Sequence, residues 1–150
     1  MTASAAQYHR LASAGQHIPV PVPPARVFAD TLRTAVAQTS PAESLRIMID
    51  LAAAAGPGDA VTIMLRQPGG LLETMACTDD RAAKADRLQY DLGGGPGVDA
   101  AHTGGLVLTQ DLLTEDRWPG WSRHAAGIGV GAAISVQLFI GGDALGSLTL

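Results

Sequence analysis

Glycine- and proline-rich breaks are the strongest constraint on what this chain can fold into. Gly56-Pro57-Gly58, Gln67-Pro68-Gly69-Gly70, Gly93-Gly94-Gly95-Pro96-Gly97, Gly104-Gly105 and Gly141-Gly142-Asp143 interrupt it repeatedly from residue 56 onward. Glycine supplies backbone conformations closed to other residues, and proline removes an amide donor, so helices and strands stop at such clusters. Whatever lies between them must fold as short elements joined by turns.

The segments read as follows. Residues up to about Pro24 form an arm whose Ile18-Pro19-Val20-Pro21-Val22-Pro23-Pro24 run favours extended polyproline geometry. Between Ala25 and Gln38, Phe28, Leu32, Ala35 and Val36 recur at helical steps and give one greasy face. Ser40-Pro41-Ala42-Glu43 combines an N-cap hydroxyl, a proline at the first helical position and an acid at the third, so a second helix starts there. Leu45, Met48, Ile49 and Ala52 would be its buried stripe. Val61 to Leu65 and Leu71 to Thr78 flank a turn and predict a hairpin. Thr78 or Asp79 caps a helix through about Tyr90, with Leu88 among its inward positions. A short helical turn over Val98 to His102, a strand over Leu106 to Thr109, a short helix from Trp118 to about Ala126, and a closing hairpin of about Ala132 to Ile140 with Ala144 to Leu150 complete the reading.

Two helices, a hairpin, a helical excursion, a strand, a second excursion and a final hairpin make an α+β fold. The expected form is a central antiparallel sheet of five to six strands with helices packed on both faces. The excursions between the hairpins are long enough to roof a cavity over the sheet. The closing strand ends at Leu150 without a cap, so the domain is expected to be a piece of something longer.

Composition removes several function classes. Ten basic against fourteen acidic residues give a net charge of -4, no footprint for wrapping a polyanion. A single cysteine, Cys77, forms no internal disulfide and no zinc cluster, which points to a reduced, cytoplasmic setting. Ala125 to Gly142 carries no charge, but its five glycines and the alternation of Ile134, Val136, Leu138 and Ile140 with Ser135, Gln137 and Phe139 read as a strand and not as a membrane span. No export signal is visible, because Gly15, Gln16 and the prolines interrupt any apolar core.

No motif carries catalytic chemistry. The glycine run at 93–97 lacks a following Lys-Ser/Thr and has Val98 where a dinucleotide fingerprint needs glycine. Gly127 to Ala132 fits GxGxxA, yet it precedes a strand where the fingerprint must follow one. Cys77 has no adjacent His or Lys to lower its pKa and is expected to pack. His102 and His124 both fall in the excursions and read as surface or hydrogen-bonded imidazoles in preference to a metal pair. Asp79-Asp80 is expected to cap a helix. Trp118 and Trp121 anchor the short helix to the sheet, at least one of them, or wall a pocket beside Arg123 and His124.

The stretches Leu88 to Ala100, Val107 to Asp111, Asp116-Arg117-Trp118-Pro119, Ile134 to Leu138 and Leu145 to Leu150 resemble GAF domains. More narrowly they resemble the actinobacterial GAF domains that precede an ANTAR RNA-binding module in transcription antitermination regulators. Within that subgroup Gly94 stands where a glutamate is usual and Gly97 where a cysteine is usual, so a sensing role for that cysteine is absent. The resemblance implies a sensory domain over residues 25–150, a pocket between sheet and excursion loops, dimerisation through N-terminal helices, and RNA contact only through a module after Leu150. The cyclic-nucleotide signature, the cysteines of sulfoxide-reducing GAF domains and a bilin-attaching cysteine are missing. The expectation is a non-enzymatic, cofactor-free sensor of an unidentified small molecule, with Leu88, Tyr90, Trp118, Trp121 and His124 lining its pocket. A ligand-free dimerisation module, built on Phe28, Leu32 and Val36, is the alternative.

Overall fold

A computed structural model describes residues 40–150. The expected arm and the expected helix bearing Phe28, Leu32 and Val36 lie outside the described residues.

Helix α1 (Pro41–Ala55) begins as its sequence requires: Ser40 Oγ accepts a hydrogen bond from the Glu43 amide at 3.3 Å, and Pro41 occupies the first turn. Strands β1 (Thr62–Arg66) and β2 (Leu72–Cys77) pair antiparallel across the Pro68-Gly69-Gly70 turn, with a bulge at Ile63/Met64. Asp79 caps helix α2 (Asp80–Leu92), its Oδ1 accepting from the Ala82 amide at 2.7 Å. The helix runs two residues beyond the expected Tyr90 and stops at Gly93, whose φ of 69° is the left-handed conformation that favours glycine. Helix α3 (Pro96–Thr103) starts before the expected Val98, since Pro96 already has the fixed φ of a first helical residue. Strand β3 (Leu106–Thr109), helix α4 (Pro119–Gly127) and strands β4 (Ala133–Ile140) and β5 (Asp143–Thr149) follow.

The five strands form one antiparallel sheet in the order β2-β1-β5-β4-β3. Alternation along β1 sends successive side chains to opposite faces. On one face Val61 and Ile63 meet Ile49 of α1, with Leu45, Met48, Ala52, Leu65, Leu148 and Leu150 around them. Each aliphatic side chain fully buried there contributes about 1.5–3 kcal/mol. On the other face Thr62 and Met64 point at α2 and α3.

That second face is polar by sequence yet buried. Ser135 and Ser147 are 0% exposed, whereas Phe139 and Ile140 at the far end of β4 are more than 65% exposed. Ser135 Oγ lies 2.8 Å from Thr149 Oγ1, so the two hydroxyls satisfy each other across β4 and β5. The small side chains let α3 come close. A Cβ on Gly97 would sit 2.7 Å from Met64 Cε, which means that Met64 fills the space where the resemblance would place a cysteine.

A separate apolar cluster joins α4 to its surroundings through Leu112, Trp118, Trp121, Ala125 and Ala133, with Leu88, Val107 and Val130 against it. The two indoles meet edge to face at 6.1 Å between centroids. The expected anchoring to the sheet is only half of the arrangement. The rings share a cluster with Ala133 and Val107 of the sheet, but the indole N–H groups donate to helices, Trp121 to the Ala85 carbonyl and Trp118 to Asp99 Oδ2, both at 2.9 Å. Cys77 corrects the packing expectation: it ends edge strand β2 and is exposed. Desolvation first, then Asp80, Asp86 and Asp79, raise its pKa, which opposes thiolate chemistry.

Candidate functional site

Helix α2 turns an unusual stripe to the sheet. Its buried residues are Ala82, Ala85, Asp86 and Gln89, a helical repeat in which two positions are short and two are polar. Ala82 and Ala85 leave open the space that leucines at those positions would fill. The result is a cleft of about 660 Å³ between α2, the β3–β4 edge of the sheet and the loops at residues 57–60 and 129–132. Ala82, Ala85, Trp121, Leu108, Val130 and Ile134 give it apolar walls.

Its floor is polar. Thr62, Asp86 and Gln89 line it, and all three are nearly inaccessible, at 2%, 2% and 1% exposure. Thr62 Oγ1 and Gln89 Nε2 each donate to Asp86 Oδ1 at 3.2 Å, and Thr74 Oγ1 donates to Oδ2 at 2.9 Å. Tyr90 Oη lies 2.6 Å from Thr74 Oγ1, so with Thr74 donating to the carboxylate the phenol donates to Thr74. Burial pushes Asp86 up to about 6, against the downward pull of these hydrogen bonds from Thr74, Thr62 and Gln89. Burial likewise pushes Tyr90 up to about 12. Among the described residues no Lys, Arg or His pairs with Asp86.

Gln89 ties this floor to the next helix. Its Oε1 accepts from the amides of Gly97 at 2.8 Å and Val98 at 3.2 Å, supplying α3 with the cap that Gly95 has no side chain to give. One amide side chain therefore links the cleft to the start of α3.

At the mouth stands Arg81. Its Nη2 lies 2.9 Å from Asp59 Oδ2 and 3.6 Å from Asp79 Oδ2, while Nη1 donates to the Gly129 carbonyl at 3.4 Å. The guanidinium thus spans from α2 to both flanking loops and holds Asp59 below the usual carboxylate range. Asp59 is 84% exposed, so this is a surface pair that solvent screens.

The five residues expected to line a pocket do not converge. Trp121 lines this cleft. Tyr90 reaches it only through Thr74 and lines instead a smaller cleft of about 380 Å³ between β2 and α2, together with Cys77 and Arg87. Leu88 and Trp118 pack in the apolar cluster around α4. His124 is exposed, with Nδ1 2.7 Å from the Gly120 carbonyl of its own helix. His102 is exposed as well, and no group of three or more His, Cys, Asp or Glu suited to a metal occurs among the described residues. No helix among them is long and apolar enough to cross a membrane.

Sequence reasoning missed Asp86, Gln89, Thr62 and Arg81. A signal existed for the first two: they fall in register with Ala82 and Ala85 on the face that must turn inward.

No family model and no curated protein matches this chain. Solved structures do. A domain of a protein described as a two-component sensor histidine kinase from Sinorhizobium meliloti is 15% identical over 74% of this chain and 72% of its own, with a TM-score of 0.60. The cyanobacteriochrome TePixJ GAF domain is 13% identical over 73% and 71%, with a TM-score of 0.58. The N-acylhomoserine lactone-dependent LuxR-family transcription factor CepR2 from Burkholderia cenocepacia is 19% identical over 81% and 73%, with a TM-score of 0.60. At such identities the likeness is one of fold: a GAF-like α+β domain with a five-stranded antiparallel sheet.

Proposed function

We propose that this GAF-like domain is a non-catalytic sensory module that takes up a small molecule in the cleft beneath α2 and passes its occupancy to a neighbouring output domain. The observation that carries the reading is the cleft itself, a space of about 660 Å³ with apolar walls and a few convergent, deeply buried polar groups. That combination is the usual make-up of a small-molecule site. The described residues bring no nucleophile and base together, which favours recognition over turnover. Gln89 offers a route outward: a ligand that displaces its side chain removes the cap of α3, and a ligand that seats it rigidifies the same start. In the fuller form of the proposal the output is an RNA-binding module of the ANTAR type, the regulated process is transcription antitermination, and the N-terminal helices pair two copies.

A thermal-shift screen of metabolites on the wild-type protein and on Val130→Trp tests the central part. Val130 is a half-buried residue of the cleft wall, and the larger ring would occupy the space. Ligands that bind the cleft raise the wild-type Tm and leave the variant unmoved. A ligand at 100 times its Kd stabilises by about 2.7 kcal/mol, well within reach of the measurement. Shifts of equal size in both proteins would remove the cleft from the reading.

A further inference from the structure

We infer that the cleft selects an amphipathic organic cation, an amine whose ammonium N–H groups donate to the Asp86 carboxylate while its apolar body lies against Ala82, Ala85, Leu108, Val130 and Ile134. The inference rests on the cleft being a ligand site and adds the chemistry of the ligand.

The argument starts from charge. Asp86 is 2% exposed at the floor of the cleft, and its nearest partners are two hydroxyls and an amide, none of them charged. A carboxylate removed from water without a cation is costly, and proteins ordinarily pair or neutralise it. Burial has accordingly moved this group towards the protonated form, to about 6, yet at neutral pH it is still largely ionised. Among the described residues the one cation lining the cleft, Arg81, sits at the mouth, where Asp59 and Asp79 occupy it. The floor therefore holds a negative charge to which no described residue brings a countercharge.

Geometry leaves room for one. The two bonds to Oδ1, from Thr62 and Gln89, are both 3.2 Å, at the long end for hydrogen bonds, and both donors line the cleft beside the carboxylate. An ammonium donating over the shorter distance of about 2.7–2.9 Å typical of charged pairs outcompetes either. Gln89 is then the side chain that gives way, which couples this ligand to the start of α3 through Gly97 and Val98. An anion meets the opposite environment, with Asp86 below it and, at the rim, Arg81 already paired with Asp59 and Asp79.

Three probes of one shape separate the chemistries: 4-phenylbutylamine, 4-phenylbutanol and 4-phenylbutanoate, titrated by calorimetry at pH 7.5 into the wild-type protein, Asp86→Asn and Val130→Trp. The amine is expected to bind at least about tenfold more tightly than the alcohol, and the carboxylate more weakly than both. Asp86→Asn should bring the amine to the alcohol's affinity and leave the alcohol unchanged. Equal affinities for amine and alcohol, or a preference for the amine that survives Asp86→Asn, would overturn the inference while leaving the cleft as a site for another ligand class. Should none of the three bind, or should Val130→Trp bind them as the wild type does, the cleft reading falls with it. A second readout covers an unstable variant: in the wild-type protein, carbon NMR of the Asp86 carboxyl must show its titration midpoint falling on addition of the amine, and an unmoved midpoint counts against the contact.

Discussion

Two carboxylates sit under the same structural roof and are treated in opposite ways. Asp86, at the floor of the cleft, is held by Thr62, Thr74 and Gln89 and is pushed up to about 6. Glu115, in the loop before α4, is gripped by Arg117, whose Nη2 lies 2.6 Å and Nε 2.9 Å from its two oxygens, and hydrogen bonding to that guanidinium first of all holds it down at about 2. The Arg117 guanidinium in turn lies 4.3 Å over the Trp118 ring and donates to the Leu108 carbonyl at 2.7 Å. Where the chain needs a loop fixed, it supplies a cation. At the floor of the cleft none of the described residues supplies one to Asp86, and Arg81 at the mouth is paired with Asp59 and Asp79, so the contrast separates an acid that fastens the fold from one that is kept available.

The first way to break this contrast is at Gln89. Replacing it with alanine leaves the Gly97 and Val98 amides without their acceptor and Asp86 without one donor. Orphaned buried donors cost about 1–3 kcal/mol each, so urea unfolding should register a loss of roughly 3 kcal/mol. A loss below about 1 kcal/mol would mean that α3 is held by its packing alone.

The second is pH. Asp86 binds its proton more tightly folded than unfolded, because its folded pKa is raised from 3.8 to about 6. Its contribution is therefore most favourable below about pH 4 and is lost as pH rises through about 6, a change of roughly 2–3 kcal/mol at about 1.4 kcal/mol per pKa unit. Glu115 runs the other way: its folded pKa lies below the ordinary glutamate value of 4.5, so its contribution is present above that value and is lost as pH falls towards about 2. The stability difference between wild type and Asp86→Asn, measured by denaturant at pH 4, 5, 6 and 7, isolates the first slope. A difference that does not vary with pH would erase the distinction between the two acids.

The smallest effect is expected at the clamp. Arg117→Gln should cost about 1 kcal/mol at pH 7, since the guanidinium is half exposed and screened by water although the Glu115 side chain is mostly covered, and it should move acid unfolding to higher pH. Calorimetric Tm values at pH 3 and pH 7 check both statements. A cost exceeding that of Gln89→Ala would invert the ranking of the two regions.

Much of the fold was legible because local chemistry decided it. Ser40 with Pro41, Asp79 and the glycine runs mark where helices begin and end, and each does so through its own backbone or a residue three places away. The cleft was harder to read. Trp121 is legible as an anchor or a pocket wall, but nothing in the sequence sets Asp86 apart from the other acids of a helix that also carries Lys84 and Arg87. What buries it is tertiary: Thr62 and Thr74 come from two strands 24 and 12 residues away, and no local pattern announces that they will meet it. Leu88, the obvious inward residue of that helix, packs instead towards the α4 cluster, since the stripe facing the sheet is the polar one. Cys77 departs from the expectation for a related reason: it ends a strand that, among the described residues, lies at the edge of the sheet, and its side chain is exposed.

The bond from Arg117 to the Leu108 carbonyl has a consequence for association. Leu108 belongs to β3, an outermost strand of four residues, where Leu106 and Leu108 present greasy side chains that are 59% and 45% exposed. Such a rim invites another chain to add itself by backbone pairing and so to start a ribbon. With one acceptor already taken by a bulky charged group, an incoming strand finds its ladder blocked in the middle, and the rim is guarded against open-ended stacking by the same side chain that steadies the loop.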